Sequence, residues 1–204
     1  MMAVKIKPLT KQQLAEFFND YRGVFPDWAV EHDTGLVRVQ GPIKQHIAFE
    51  ALRDGAYRPS SAIEVLVTPG TRILSSFLDI KHREILPRDH VARMPKVIKA
   101  MEEQFQPSIR RPLDITEVLR LGEYEVARDR VENANHLSAL AALNAYVGNI
   151  ERALLWCKQV EELLKKKGTK LADWELRLAQ FAQRLREAIE RDEQQSFLGA
   201  MTHH

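Results

Sequence analysis

The sequence predicts an α+β fold that ends in an all-helical part, and three observations lead there. Alternating apolar and polar runs are confined to the first half. Helix-period stripes occur in both halves. From Pro112 onward strand signals vanish, leaving Ala, Leu, Glu, Arg and Lys at helical spacing with single glycines between them. An apolar content of 45% over 204 residues suffices for a real core. The expected division is an α+β domain over residues 1–108, a small antiparallel sheet with helices, and a helical-repeat-like domain over 112–200. Between them lies QPSIRRP, a segment suited to a linker. Charge shifts at the same place: through Arg111 there are 17 basic and 13 acidic residues, net +4, and beyond it 13 and 15, net −2.

The elements follow in order. In PLTKQQLAEFFNDY, Thr10 and Gln13 form a capping-box pair and Leu9 and Leu14 a hydrophobic staple. Leu14, Phe17, Phe18 and Tyr21 then share one face, which predicts a helix over 11–22. Trp28 and Val30, then Leu36, Val37 and Val39, then Ile47 and Phe49 give alternating runs, broken at Asp33-Thr34-Gly35 and Gly41-Pro42, as in a hairpin or meander. SAIEVLVTPG reads as a further strand stopped by Pro69-Gly70. In RILSSFLDIKHREI, Ile73, Leu74, Phe77, Leu78 and Ile85 suit a helical stripe, and a helix is expected there. MPKVIKAMEEQF is a further helix, with Pro95 near its first turn and Val97, Ile98, Met101 and Phe105 on its buried side.

In the second half, Gly148-Asn149-Ile150-Glu151-Arg152-Ala153 follows Gly122-Glu123-Tyr124-Glu125-Val126-Ala127 at a distance of 26 residues. Both read G-x-(Y/I)-E-x-A, and Val131 and Ala134 stand where Cys157 and Val160 stand in the second copy. Each copy is expected to be a helix, a tight turn needing glycine's positive φ, and a second helix whose alanine allows close approach. With Leu140 and Ala141 ahead of the turn glycine, the stretch from about 112 to 164 resembles tetratricopeptide-type helical hairpins. The resemblance implies that the first helix of each pair lines a concave surface. It places Thr116, Arg120, Asn135, Ser138 and Tyr146 there as partner-binding residues. LADWELRLAQFAQRLREAIE, with Trp174, Leu178, Phe181, Leu185 and Ile189 on one face, is expected to close the stack as a cap.

Chemistry-bearing motifs are sparse. No dinucleotide fingerprint, Walker loop or nucleophile elbow occurs. His32, His46, His82, His90 and His136 lack helical ligand spacing, and the one cysteine, Cys157, sits in an apolar helical run, so neither a zinc set nor a disulfide framework is expected. His203 and His204 look like part of a tag and Met1-Met2 like a cloning remnant, and they are set aside. Acid and base types adjoin in Glu31-His32-Asp33, His82-Arg83-Glu84 and Asp89-His90, but adjacent side chains rarely converge on one substrate. In FEALRDGAYRPSSAIEV, Tyr57 and Arg58 are either an exposed anchor pair or a turn whose tyrosine packs on the sheet. KKKGTK, 165 to 170, suits the cationic last turn of a helix capped by Gly168, or a contact with phosphates.

These readings favour a protein-binding module without catalysis, cofactor or metal. The net charge of +2 makes nucleic acid an unlikely partner, and the absence of eighteen consecutive apolar residues speaks against a membrane span. The lone cysteine fits a reducing cytoplasm. The layout is similar to that of bacterial immunity proteins, which implies a cognate toxin or effector as partner. Two other readings stay open: an enzyme or regulator acting on nucleic acid or a nucleotide through Arg53, Arg58, Arg110 and Arg111, and an assembly adaptor that binds a peptide.

Overall fold

A computed structural model describes residues 8–31, 35–69, 71–79, 84–129, 133–168 and 170–201. Met1, Met2, His32, Asp33, Thr34, Gly70, His82, Arg83, Val131, His203 and His204, named above, lie outside the described residues. Strands β1 (Ala29–Glu31), β2 (Gly35–Gln40), β3 (Ile43–Ala51), β4 (Tyr57–Val65) and β5 (Thr71–Phe77) form one antiparallel sheet in sequence order. β1 pairs with β2 in the register Ala29 with Val37, Val30 with Leu36 and Glu31 with Gly35. The helices are α1 (Lys11–Val24), α2 (His90–Gln104), α3 (Ile115–Asp129), α4 (Ala134–Tyr146), α5 (Ile150–Lys166), α6 (Asp173–Glu190) and α7 (Gln194–Met201). The α+β class is therefore the observed one.

The chain divides into two units. One comprises residues 1–39, 45–62 and 75–113, and the other 40–44, 63–74 and 114–204. Residues of the β2–β3 turn and of the β4–β5 hairpin thus group with the helices that follow residue 113.

In the first unit, α1 starts where its cap dictates. The Thr10 hydroxyl accepts from the Gln13 amide at 3.2 Å, and the Gln13 side chain accepts from the Thr10 amide at 3.1 Å. Its Leu14, Phe18 and Tyr21 join Phe25, Trp28, Leu36, Ile47, Phe49, Tyr57, Met101 and Phe105 in one core. α2 begins at His90 after a 3-10 turn over Pro87–Asp89, earlier than expected, so Pro95 lies inside it and not in its first turn. The carbonyl left without its helical donor there belongs to Val91, a residue 81% exposed, where water can take the donor's place. The linker-like QPSIRRP is also bound down. Phe105 and Ile109 are buried, the Gln45 amide donates to the Pro107 carbonyl at 2.9 Å, and Arg38 reaches the Ser108 and Arg111 carbonyls.

The expected helix at RILSSFLDIKHREI is instead β5. Ile73 and Leu74, adjacent and therefore on opposite faces of a strand, are both buried. Pairing of β5 beside β4 outweighs a weak helical stripe, as tertiary context does for short apolar runs.

The second unit is organised around α4. Every residue from His136 to Ala145 is buried, and α3, α5, α6 and α7 all pack on it. ANHLSALAALNAY has no polar face to turn toward water, and a helix apolar all round belongs inside. The repeat expectation fails at its first copy. Gly122 lies within the continuous helix α3, whereas Gly148 occupies a true turn between α4 and α5 at φ 82°. Correspondingly, Ala127 is exposed while Ala153 is fully buried. Gly122 serves close packing: a Cβ there would come within 2.9 Å of Ile73 Cδ1 and 3.1 Å of Leu140 Cδ2. Its carbonyl accepts from His136 Nε2 at 3.1 Å. In α6, Leu178, Phe181 and Leu185 are buried as expected, but Trp174 stands largely exposed beneath Lys167, and Glu175 is buried instead. Lys167 at 2.6 Å and the Ala172 amide at 2.9 Å hold the Glu175 carboxyl below its usual pKa.

Two outcomes follow. Gly122→Val should destabilise the protein by about 1 to 3 kcal/mol in urea denaturation, since the added methyls meet Ile73 and Leu140. An unchanged midpoint would refute the close approach. Burial holds the His136 pKa below 6.5, so the unfolded chain takes up a proton that the folded imidazole resists. Stability should therefore fall as pH drops below about 6.5, and His136→Gln should flatten that slope. A slope unaffected by the substitution contradicts the assignment.

Candidate functional site

The densest set of polar chemistry in the first unit is a hydrogen-bonded chain. Phe17, Asp20 and Tyr21 share one side of α1 by their three- and four-residue spacing, β4 begins at Tyr57, and α2 begins at His90. Asp20 Oδ2 lies 2.9 Å from His90 Nε2, His90 Nδ1 lies 2.7 Å from the Tyr57 hydroxyl, and that hydroxyl lies 2.9 Å from the Tyr21 hydroxyl. Because the carboxylate can only accept, Nε2 carries a hydrogen. With Nε2 as the only protonated ring nitrogen, Nδ1 accepts from Tyr57 and Tyr57 accepts from Tyr21. Phe17 lies over His90 with ring centroids 4.5 Å apart, and Phe49 stacks on Tyr21 at 4.5 Å.

The environment decides what this chain can do. Tyr57 is 0% exposed and His90 2%, whereas the Asp20 side chain is 55% exposed, so only the carboxylate end meets water. Burial raises the Tyr21 hydroxyl pKa to about 12 and that of Tyr57 further still, with the neighbouring Tyr21 adding to the rise. Both phenols keep their protons at neutral pH. A substrate could reach them only by displacing packed aromatics, and the arrangement acts as a buried brace that satisfies four polar groups at once. His90 had suggested chemistry beside Asp89, but its partner is Asp20. Phe17, Asp20 and Tyr21 share one helical face in the sequence, but nothing local pairs that face with His90.

The partner-binding residues expected from sequence are dispersed. Tyr57 is in the core and cannot serve as an exposed anchor, because its hydroxyl completes the chain just described. Arg58 beside it is half-buried, with its Nε 2.7 Å from Glu50 Oε2 and its guanidinium over Phe77. Thr116 and Arg120 are exposed one turn apart on α3, the Thr116 amide donating to Asp114 Oδ1 at 2.9 Å. Ser138 is fully buried, and its hydroxyl has no hydrogen-bond partner, because it sits midway along the sealed helix α4. Asn135 and Tyr146 at the two ends of α4 are half-buried. The Tyr146 carbonyl accepts from Gln195 Nε2 at 2.9 Å. So α4 lines no concave surface, and of the five helical residues only Thr116 and Arg120 share an open face.

Other surfaces are open. Leu155 on α5 and Leu176 on α6 are exposed. Tyr124 on α3 is exposed with the Arg128 guanidinium 5.7 Å from its ring. Between α5 and α6 runs a groove of 510 Å3 lined by Leu164, Leu171, Leu176 and Ala179, with Glu161, Lys165 and Arg186 at its polar positions. Cys157 is buried on α5, and its thiol pKa is raised to about 12 by burial and by Glu161, so it is not a nucleophile. Among the described residues there is no cluster of three potential metal ligands, and no helix is long and apolar enough to cross a membrane. No protein family, curated protein or solved structure matches the chain.

Tyr57→Phe would strip His90 Nδ1 of its donor and Tyr21 of its acceptor, with an expected loss of about 1 to 3 kcal/mol in chemical denaturation. Asp20→Asn, at the wet end, should cost less. Equal, near-zero effects of both would remove the brace from the account.

Proposed function

We propose that this chain is a non-catalytic protein-binding module of the immunity type, which resides in the bacterial cytoplasm and blocks a cognate toxin or effector by covering its working surface. The observation that carries the binding reading is the contrast within the second unit between α4, sealed on all sides, and outer helices that present Leu155, Trp174 (41% exposed) and Leu176 (45% exposed) beside charged residues. Large apolar side chains within a charged setting are the material of interface anchors. Against catalysis stands the burial of the extended acid–base chain found among the described residues. Against nucleic acid stands the neutralisation of Arg58 by Glu50 at 2.7 Å and of Arg110 by Glu102 at 2.5 Å, two of the four arginines that reading relies on. The toxin-blocking identity rests on likeness of architecture. An adaptor that binds a peptide would use the same outer helices and differ in its occupant.

The test is affinity capture from the source cell, followed by purification of the complex and assay of the captured protein's activity. A stoichiometric complex with the partner's activity suppressed is the expected result. Leu176→Glu and Arg120→Ala should each weaken the complex by about tenfold or more, corresponding to ~1.4 kcal/mol, with the melting temperature unchanged. Retention of nucleic acid that falls steeply with salt, or turnover abolished by a single carboxylate or histidine substitution, would contradict the proposal.

A further inference from the structure

A second cleft in the helical unit, between α6 and α7, differs in its charges from the α5–α6 groove. In that groove Arg186 lies 3.4 Å from Glu161, so one of the groove's two cations is already paired. The α6–α7 cleft, 380 Å3 in volume, has Phe181 and Phe197 as its floor, with ring centroids 5.9 Å apart. Met201, Ala200 and Pro69 form its walls. At its rim stand Arg177 and Arg184, both exposed, and neither has an ion-pair partner among the described residues. Arg184 lies over the Phe197 ring at 5.4 Å, which keeps its guanidinium beside the aromatic lining of the cleft.

We propose that this cleft is the docking site for an acidic segment of a protein partner, with an apolar side chain in the pocket and carboxylates on Arg177 and Arg184. The assignment rests on the protein-binding reading and adds the chemistry of the partner's contact. Seven residues separate the two arginines, two helical turns or about 10.5 Å along the axis. That is the reach of about three residues of extended chain, so carboxylates three positions apart meet both guanidiniums while a residue between them enters the apolar floor. A lone carboxylate cannot occupy both ends. The adjoining cleft of 340 Å3 shares Arg184 and carries Glu187 and Glu193, with Arg191 drawn to Glu187 at 3.9 Å, whereas the lining of the α6–α7 cleft holds no acidic residue among the described ones. Unpaired guanidiniums beside apolar surface favour such a contact, because carboxylates bind them in fork geometry and the charges steer the encounter.

The probe is a fluorescein-labelled peptide, Gly-Glu-Asp-Phe-Leu-Glu-Asp-Gly, titrated with the full chain at low ionic strength and followed by anisotropy. Saturable binding is expected. It should weaken by at least about tenfold in the Arg177→Glu, Arg184→Glu double variant, and also when Phe-Leu in the peptide becomes Ser-Ser. A lysine-for-acid version of the peptide should bind the double variant and not the parent. Both substituted residues are exposed and unpaired, so the variant's thermal melt should match the parent's. Absence of saturable binding, equal binding by the double variant, or equal binding of the lysine peptide by the parent overturns the site. A captured partner that binds the double variant as tightly as the parent also overturns it while leaving the protein-binding reading intact.

Discussion

The second unit depends on burying one helix completely. Between His136 and Ala145 α4 has no polar face, and every residue there is buried, so other elements must cover every side of it. That requirement accounts for the arrangement of α3, α5, α6 and α7 around it. It also accounts for the polar contacts along it. Asn144 gives its amide to the Leu140 carbonyl at 2.9 Å and receives Asn149 at 3.3 Å, and His136 reaches the Gly122 carbonyl, because an unpartnered polar group inside is costly; the Ser138 hydroxyl is the exception. Close packing sets the size of the neighbours: Gly122 has no side chain where Leu140 and Ile73 press in.

The same rule operates in the first unit with aromatic residues. Tyr21, Tyr57 and His90 bring hydroxyls and an imidazole into an apolar core, and the chain to Asp20 satisfies them in series before ending at an exposed carboxylate. In both units these buried polar groups hold the interior together. The outer helices carry exposed apolar groups and, at Arg177 and Arg184, guanidiniums without an ion-pair partner among the described residues, which is where the proposed recognition would take place.

How much of this was legible depended on whether the signal was local. The capping box at Thr10 and Gln13, the strand alternation from Trp28 to Phe49 and the glycine cap at Gly168 were readable because each is set by residues within a few positions of one another. The stripe from Ile73 to Leu78 misled, since its conformation is decided by pairing beside β4, which a short window does not contain. Gly122 misled in another way. A glycine fits a turn or a close approach equally well, and only Ile73 and Leu140, distant in sequence, show which applies. Of the two readings open for Tyr57 the packed one holds, and the tetratricopeptide resemblance placed Ser138 on a surface although the unbroken apolar run around it argues for burial. The partnership of His90 with Asp20 spans 70 positions and has no local trace.

Hydrogen exchange read by mass spectrometry on the native chain tests most directly whether α4 is a sealed support surrounded by working surfaces. The amides of residues 134–146 should exchange more slowly than any others between residues 114 and 204, and those of α7 far faster, as expected for a short helix at the rim of a binding cleft. Exchange in α4 as fast as in α7 would contradict this view and return α4 to the surface.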